Sequence, residues 1–386
     1  MSNFDDLDRL LKTFSEKTVP GCGCAVAQHG KILYEGYSGY ADLERGIPIT
    51  EDTVYRLFSM TKIIVCTAAM IQFERGKFLL NEPYSQYFPE YRDTQVASVL
   101  PNGEIRVKPA QNPILIRHTF NMSNGLPYPN SSHYTDLKMR EVRKTLTNRI
   151  GKYTLQDDVR AMGKVPVRFE PGSHWLYGFG HEMVAALVEE TSGMSIGEFL
   201  KKEIFEPLGM ESTGYRYFGN MRERMAKMYR PNGDGTYTLM EGSLDANHEP
   251  DAVYEGGGAG LFSTVKDYLK FTQMLANGGN YNGTQIIGRK TIDLMRRNML
   301  NDVQLQDFRN SYLEGYGYGL GVRTMMEPAG AGNLSVGEFG WTGVAGTWTS
   351  IDPSEGVSVV YMHQTDPNNE EYHHHRVRAV AYGCIQ

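Results

Sequence analysis

Three serines in this chain stand in patterns that could make one of them a nucleophile. A serine hydroxyl attacks poorly until a neighbour takes its proton. Ser-x-x-Lys puts an amine one helical turn from the hydroxyl, and it occurs twice: "SMTK" at 59–62 and "STVK" at 263–266. Gly-x-Ser-x-Gly occurs once, "GMSIG" at 193–197. Each pattern alone is weak, since residue frequencies supply about one Ser-x-x-Lys by chance in a chain this long.

Context separates the three. A Gly-x-Ser-x-Gly nucleophile needs a strand before the serine and a helix after it. The stretch before Ser195, "GHEMVAALVEETSG", has helical periodicity, and Ser195 with Glu198 forms Ser-x-x-Glu, the signature of a capping box. Ser263 precedes "TVKDYLKF", which predicts a half-exposed helix with Ser263 as its N-cap and Lys266 in water. Ser59 differs, because "IIVCTAAMIQFERGK" after Lys62 is apolar nearly all round. That run predicts a buried helix closing at Gly76. Ser59 and Lys62 share one face at its N-terminus. Burial and the positive end of the helix dipole both favour a neutral amine, the form able to take a proton. The competing reading has Ser59 as a cap and Lys62 snorkelling to solvent.

The elements that must hold this pair are legible in outline. Phe4, Leu7, Leu10, Leu11 and Phe14 recur at helical spacing and predict an opening amphipathic helix. "CAVAQHGKILYEGYSGYAD" alternates around His29-Gly30 and predicts a β-hairpin. "SVGEFGW", "GTWTSID" and "GVSVVYMH" predict short strands near the end of the chain. A last helix places Val377, Val380, Ala381 and Cys384 on one face. Strands at both ends, with helical patterns between, predict an α/β protein of α+β type. An antiparallel sheet is built from both chain ends and flanked by helices. The expected division is a sheet domain from 1–82 and 311–386 and a mostly helical domain from 83–310, with the site at their interface.

Composition excludes several function classes. The 386 residues are 40% hydrophobic and 22% charged, which fits a soluble globular chain long enough for a large core. The net charge of −6, without a basic block, argues against nucleic acid and anionic membrane as partners. No run reaches the ~18 apolar residues of a membrane span. Cys22, Cys24, Cys66 and Cys384 match no zinc or disulfide spacing, and free thiols in a reducing compartment are expected. "MSNFDDLDRLLKTF" carries acids where a signal peptide is basic and then apolar. Cytoplasmic is the expected location, unless an export signal was trimmed.

Taken in order, the motifs resemble the serine β-lactamase and penicillin-binding-protein superfamily. Within it they are most similar to the class C-like branch that includes the family VIII carboxylesterases. "TVYRLFSMTK" looks like its nucleophile helix, and "ILIRHTFNMSNGLPY" like a following signature. "EPGSHWLYGFGHEMVAALVEETSGMSIGEFLKKEIFEPLGM" resembles the Tyr-x-Asn segment and the two helices after it. "GGGAGLFSTVKDYLKF" and "YGYGLG" match further stretches, and "GWTGVAGT" occupies the Lys/His-Thr-Gly strand.

The resemblance implies a β-lactamase/DD-peptidase-like fold and a serine hydrolase that works through an acyl-enzyme without cofactor. Carried over, Ser59 is the nucleophile, Lys62 its partner and Tyr177 the proton relay to the leaving group; a packed aromatic is the competing reading for Tyr177. Backbone N–H groups of Ser59 and Val344 would form the oxyanion hole. Trp341 replaces the family's Lys or His, beside Thr342 and Gly343. Phe179 stands where β-lactamases carry Asn. Tyr128, on the Leu-Pro-Tyr turn, either lines the cleft or is a surface aromatic. Both replacements make the expected cleft more apolar, and Trp341 removes a cation that would grip a carboxylate. A carboxylesterase for small or short-chain acyl esters is therefore expected. The alternatives are a weak β-lactamase or D-amino-acid peptidase, acting on a lactam or amide, and a non-catalytic ligand-binding relative. No metal site is expected: "HEMVA" at 181–185 lacks a second His, and "HHH" at 373–375 reads as a solvated helix face.

Overall fold

The spacing of Leu7, Leu11 and Phe14 folds as helix α1, Asp5–Lys17, with all three side chains buried. This is a computed structural model, and it describes residues 4–240, 242–309, 313–330 and 332–385. Strands β1 (Gly21–Gln28), β2 (Lys31–Asp42) and β3 (Ile47–Pro48) follow α1. Helix α2 spans Thr61–Glu74, helix α3 Gly180–Ser192 and helix α4 Val265–Ala276. The chain then returns to strand as β4 (Tyr316–Tyr318), β5 (Arg323–Met325), β6 (Phe339–Gly340), β7 (Trp348–Asp352) and β8 (Val357–His363). Helix α5, Glu370–Gly383, ends it.

The eight strands form one sheet in the order β4-β5-β6-β7-β8-β1-β2-β3. The two chain ends meet where β1 pairs antiparallel with β8, Cys24 opposite Tyr361 and Val26 opposite Val359. β1 is buried on both faces, so it reads as a continuous small and apolar run rather than an alternating one. Cys22 turns toward α1, its thiol 3.7 Å from the Leu11 carbonyl. Gly23 turns the other way, where a Cβ would meet Val265 of α4 at 3.1 Å. Cys22, Cys24 and Cys66 are buried free thiols. No helix among the described residues is long and apolar enough to cross a membrane.

Helix α4 belongs by chain order to the middle segment, yet it lies on the sheet. Gln273 Nε2 donates to the Ala27 carbonyl at 2.9 Å and to Ser358 Oγ at 2.8 Å, tying β1 to β8. The expected boundary at 310–311 lies outside the described residues.

Two local expectations are corrected. The N-cap of α4 is Thr264, whose hydroxyl accepts from the Asp267 N–H at 3.1 Å. Ser263 is instead fully buried in a two-residue strand, its Oγ 2.7 Å from Thr213 Oγ1. The helix itself is mostly buried, because it packs on the sheet rather than on solvent. Thr264→Ala should therefore cost ~1 kcal/mol of stability as a lost cap. Lys266→Ala, removing an exposed pair with Glu51, should cost under ~0.5 kcal/mol. Denaturation midpoints of the two variants check this.

The histidine run is the second correction. His373 is 0% and His374 2% exposed. Neighbours on a helix point about 100° apart, so a helix laid on a sheet turns two of three successive residues inward. His373 Nε2 lies 2.9 Å from Thr18 Oγ1, and its ring meets Phe14 edge-on at 4.7 Å. Burial pushes His373 down to about 4, so it is packed as a neutral ring. Among the described residues no group of three or more His, Cys, Asp or Glu could hold a metal ion.

Candidate active site

A short strand pairing delivers Ser59 to its place. Tyr55–Arg56 pairs antiparallel with Phe262–Ser263, and the Leu57 N–H donates to the Leu261 carbonyl at 2.9 Å. Phe58 then turns the chain with φ +46°, a conformation that a residue bearing a Cβ rarely adopts. Holding it costs on the order of 1–3 kcal/mol, which the surrounding pairing must offset. The turn sets Ser59 in the single 3-10 turn, Phe58–Met60, that runs into α2.

Lys62 is the second residue of α2 and is fully buried, which rules out the snorkelling alternative. Its Nζ donates to Ser59 Oγ at 3.0 Å and to the Gly258 carbonyl at 2.5 Å. The Tyr177 hydroxyl lies 2.8 Å from Ser59 Oγ on another side. The rings of Tyr177 and Tyr128 stand 4.7 and 5.3 Å from the amine, close enough for cation–π attraction when it is charged. Trp341 Nε1 donates to the Tyr177 oxygen at 3.3 Å, and the two rings stack at 5.7 Å. A hydroxyl between a buried amine and a phenol can lose its proton to one and receive it back through the other.

The strand-edge turn is locked against the nucleophile segment. Thr347 Oγ1 donates to the Leu57 carbonyl at 3.0 Å, and the Gly343 N–H to the Thr347 carbonyl at 2.7 Å. A Cβ on Gly343 would stand 2.4 Å from the Leu57 carbonyl oxygen, so only glycine lets the turn approach so closely. Val344, next in the chain, is 58% exposed, and its carbonyl accepts from Asn368 Nδ2 at 2.9 Å. Its N–H donates to no protein acceptor among the described residues and so remains available to a ligand oxygen. Thr342 is engaged elsewhere: its hydroxyl donates to Glu370 Oε2 at 2.8 Å.

The remaining expected cleft residues divide. Tyr128 lines a cleft of about 620 Å³ together with Phe58, Arg143, Glu182, His248 and Tyr254. Its lining includes Phe58, the residue before Ser59, and Tyr128, whose ring faces Lys62, while Ser59, Lys62, Tyr177 and Trp341 are not part of it. Phe179 does not line the cleft. It is 0% exposed and sits under the Arg143 guanidinium at 5.3 Å, because it leads into the buried start of α3. Trp341 is only 6% exposed, wedged between Tyr177 and Tyr318. Ser195 caps its helix by accepting from the Glu198 N–H at 3.2 Å. Two groups escaped the sequence reading. One is the Gly258 carbonyl, signalled only by the glycine run at 256–258. The other is Glu182, an acid at the start of the buried run of α3.

The family model described as Beta-lactamase matches residues 7–382, nearly the whole chain. The chain belongs to the beta-lactamase family. Esterase EstB of Burkholderia gladioli is 27% identical over 376 residues, covering 91% of this chain and 87% of that protein. Two solved structures share the beta-lactamase-like fold. EstCE1, described as a hydrolase with promiscuous acyltransferase activity, aligns with a TM-score of 0.80 at 22% identity, covering 100% of this chain and 98% of that one. Simvastatin synthase (LovD) of Aspergillus terreus aligns with a TM-score of 0.84 at 20% identity, covering 99% and 97%.

Proposed function

We propose that this beta-lactamase-family protein is a serine hydrolase, a carboxylesterase for small, uncharged acyl esters, acting through an acyl-enzyme on Ser59. The observation that carries the reading is the Ser59 hydroxyl flanked at 3.0 Å by a fully buried amine and at 2.8 Å by a phenol. In acylation the Ser59 proton passes to Lys62 as Oγ attacks the ester carbonyl. The carbonyl oxygen takes the negative charge and is met by the N–H groups of Ser59 and Val344. Tyr177 gives a proton to the departing alkoxide and is reprotonated from Lys62. Water then attacks the acyl-enzyme by the same proton path in reverse and releases the acid. A non-catalytic binding relative would have no use for the three groups held in this way.

Charge in the cleft favours esters over lactams and peptides that carry a carboxylate. Arg143 is held bidentately by Asp158 at 3.0 and 2.8 Å, and Arg56 by Asp245 at 2.6 and 2.7 Å. Lys152 pairs with Asp251. Trp341 supplies no charge where other members of the superfamily place a cation. A buried carboxylate would go unmatched, a cost of several kcal/mol. With p-nitrophenyl butyrate and nitrocefin compared, kcat/KM should favour the ester by at least about 100-fold, equivalent to ~2.7 kcal/mol. A wild type that prefers nitrocefin would reverse the assignment toward a β-lactamase or D-amino-acid peptidase.

A further inference from the structure

Glu182 is a charged side chain that the proposed chemistry leaves unused, yet it lies in the interior beside it. It projects from the first turn of α3 and is 6% exposed. Its polar contacts outside its own backbone are long ones, from the Tyr128 hydroxyl at 3.4 and 3.5 Å. No ion-pair partner stands within 4.0 Å among the described residues. Three features tie it to Lys62. Gly258, whose carbonyl accepts the hydrogen bond from Lys62, has no room for a Cβ, which would stand 2.5 Å from Glu182 Oε1 and 2.1 Å from the Tyr128 hydroxyl. Tyr128 spans the gap, its ring facing the amine and its hydroxyl facing the carboxylate. The charge of Lys62 favours ionisation of this carboxyl, against the burial that pushes it up.

We propose that Glu182 is a positioning residue that acts through Tyr128 and the Gly258 backbone. Its carboxylate is the counter-charge for the Lys62 ammonium formed when Ser59 gives up its proton. This rests on the acyl-enzyme reading above. A buried ammonium without a counter-charge is costly, so the carboxylate makes Lys62 a stronger proton acceptor in the transition state. The other groups that face Glu182 do not replace it. Arg143 is committed to Asp158, whose own charge opposes the ionisation of Glu182. Tyr128, Tyr215 and Tyr254 are phenols that burial and Glu182 itself keep protonated. His181, next in the chain, is pushed down to about 3 by burial and stays neutral.

The test is the pH profile of kcat/KM for p-nitrophenyl butyrate in wild type, Glu182→Gln and Glu182→Asp, with melting temperatures alongside. Without the carboxylate the amine holds its proton less tightly. The acidic limb of Glu182→Gln should therefore move down by about one pH unit, as expected for removal of a nearby opposite charge. Its plateau should fall about 10- to 100-fold, while Glu182→Asp recovers most of both. Stability moves the other way. Folding raises the Glu182 carboxyl above its unfolded value, so the ionised form opposes folding at neutral pH, and Glu182→Gln should melt no lower than wild type. A plateau that falls with an unmoved acidic limb would reduce Glu182 to a packing role and overturn the proposal. The rate at which a phosphonate probe labels Ser59, followed over the same pH range, reads the same limb without ester turnover. It therefore separates failure of this proposal from failure of the esterase assignment.

Discussion

Ser59→Ala should remove ester turnover, lowering kcat by roughly 10⁴-fold or more, while the melting temperature stays within a few degrees. The hydroxyl is half-buried and spans a gap between two polar groups that remain behind, so the variant keeps its shape. Neither of the other two candidate serines can take over. Ser195 is occupied in a capping box, and Ser263 is sealed in the core beside Thr213. Turnover by Ser59→Ala within 10-fold of wild type would remove the nucleophile from the scheme. Ester hydrolysis on a stop-flow or plate format measures this directly.

Replacing Lys62 should be nearly as severe. Lys62→Met preserves the bulk of a fully buried side chain while deleting the amine. It leaves the Gly258 carbonyl without its 2.5 Å donor, a cost of about 1–3 kcal/mol in stability. Its effect on kcat should be larger, about 10²–10⁴-fold, with KM within a few-fold of wild type, because a proton in flight matters chiefly in the transition state. Tyr177→Phe should show the same split and should also free the Trp341 N–H from its 3.3 Å acceptor. A large rise in KM at unchanged kcat would mean that Lys62 binds substrate and does not move the serine proton.

What could be read from the chain beforehand follows a physical divide. The helix after Lys62 is marked by a long apolar run and the hairpin by its turn at His29-Gly30, and so both were legible. The shared sheet was legible because strand patterns cluster at both ends, and β1 does pair with β8. Ser59 and Lys62 share a helical face, so sequence spacing alone brings them together. Tyr177 lies more than a hundred residues away, and only the order of motifs pointed to it. The misses come from tertiary packing. Two of three successive histidines turn inward because α5 rests on a sheet, which no local pattern records. The α4 cap moved by one residue because Ser263 was claimed by a strand pairing with Tyr55. Phe179 went into the core under Arg143, although its neighbour Tyr177 faces the site. The Gly258 carbonyl is a backbone group and leaves no side-chain signature at all.

The most direct measurement is covalent trapping. The protein would be treated with a p-nitrophenyl alkylphosphonate, its intact mass recorded, and the modified peptide located after digestion. The expected result is a single adduct on Ser59, formed far more slowly in Lys62→Met and not at all in Ser59→Ala. An adduct on Ser195 or Ser263, or an unmodified chain that still hydrolyses esters, would contradict an acyl-enzyme on Ser59.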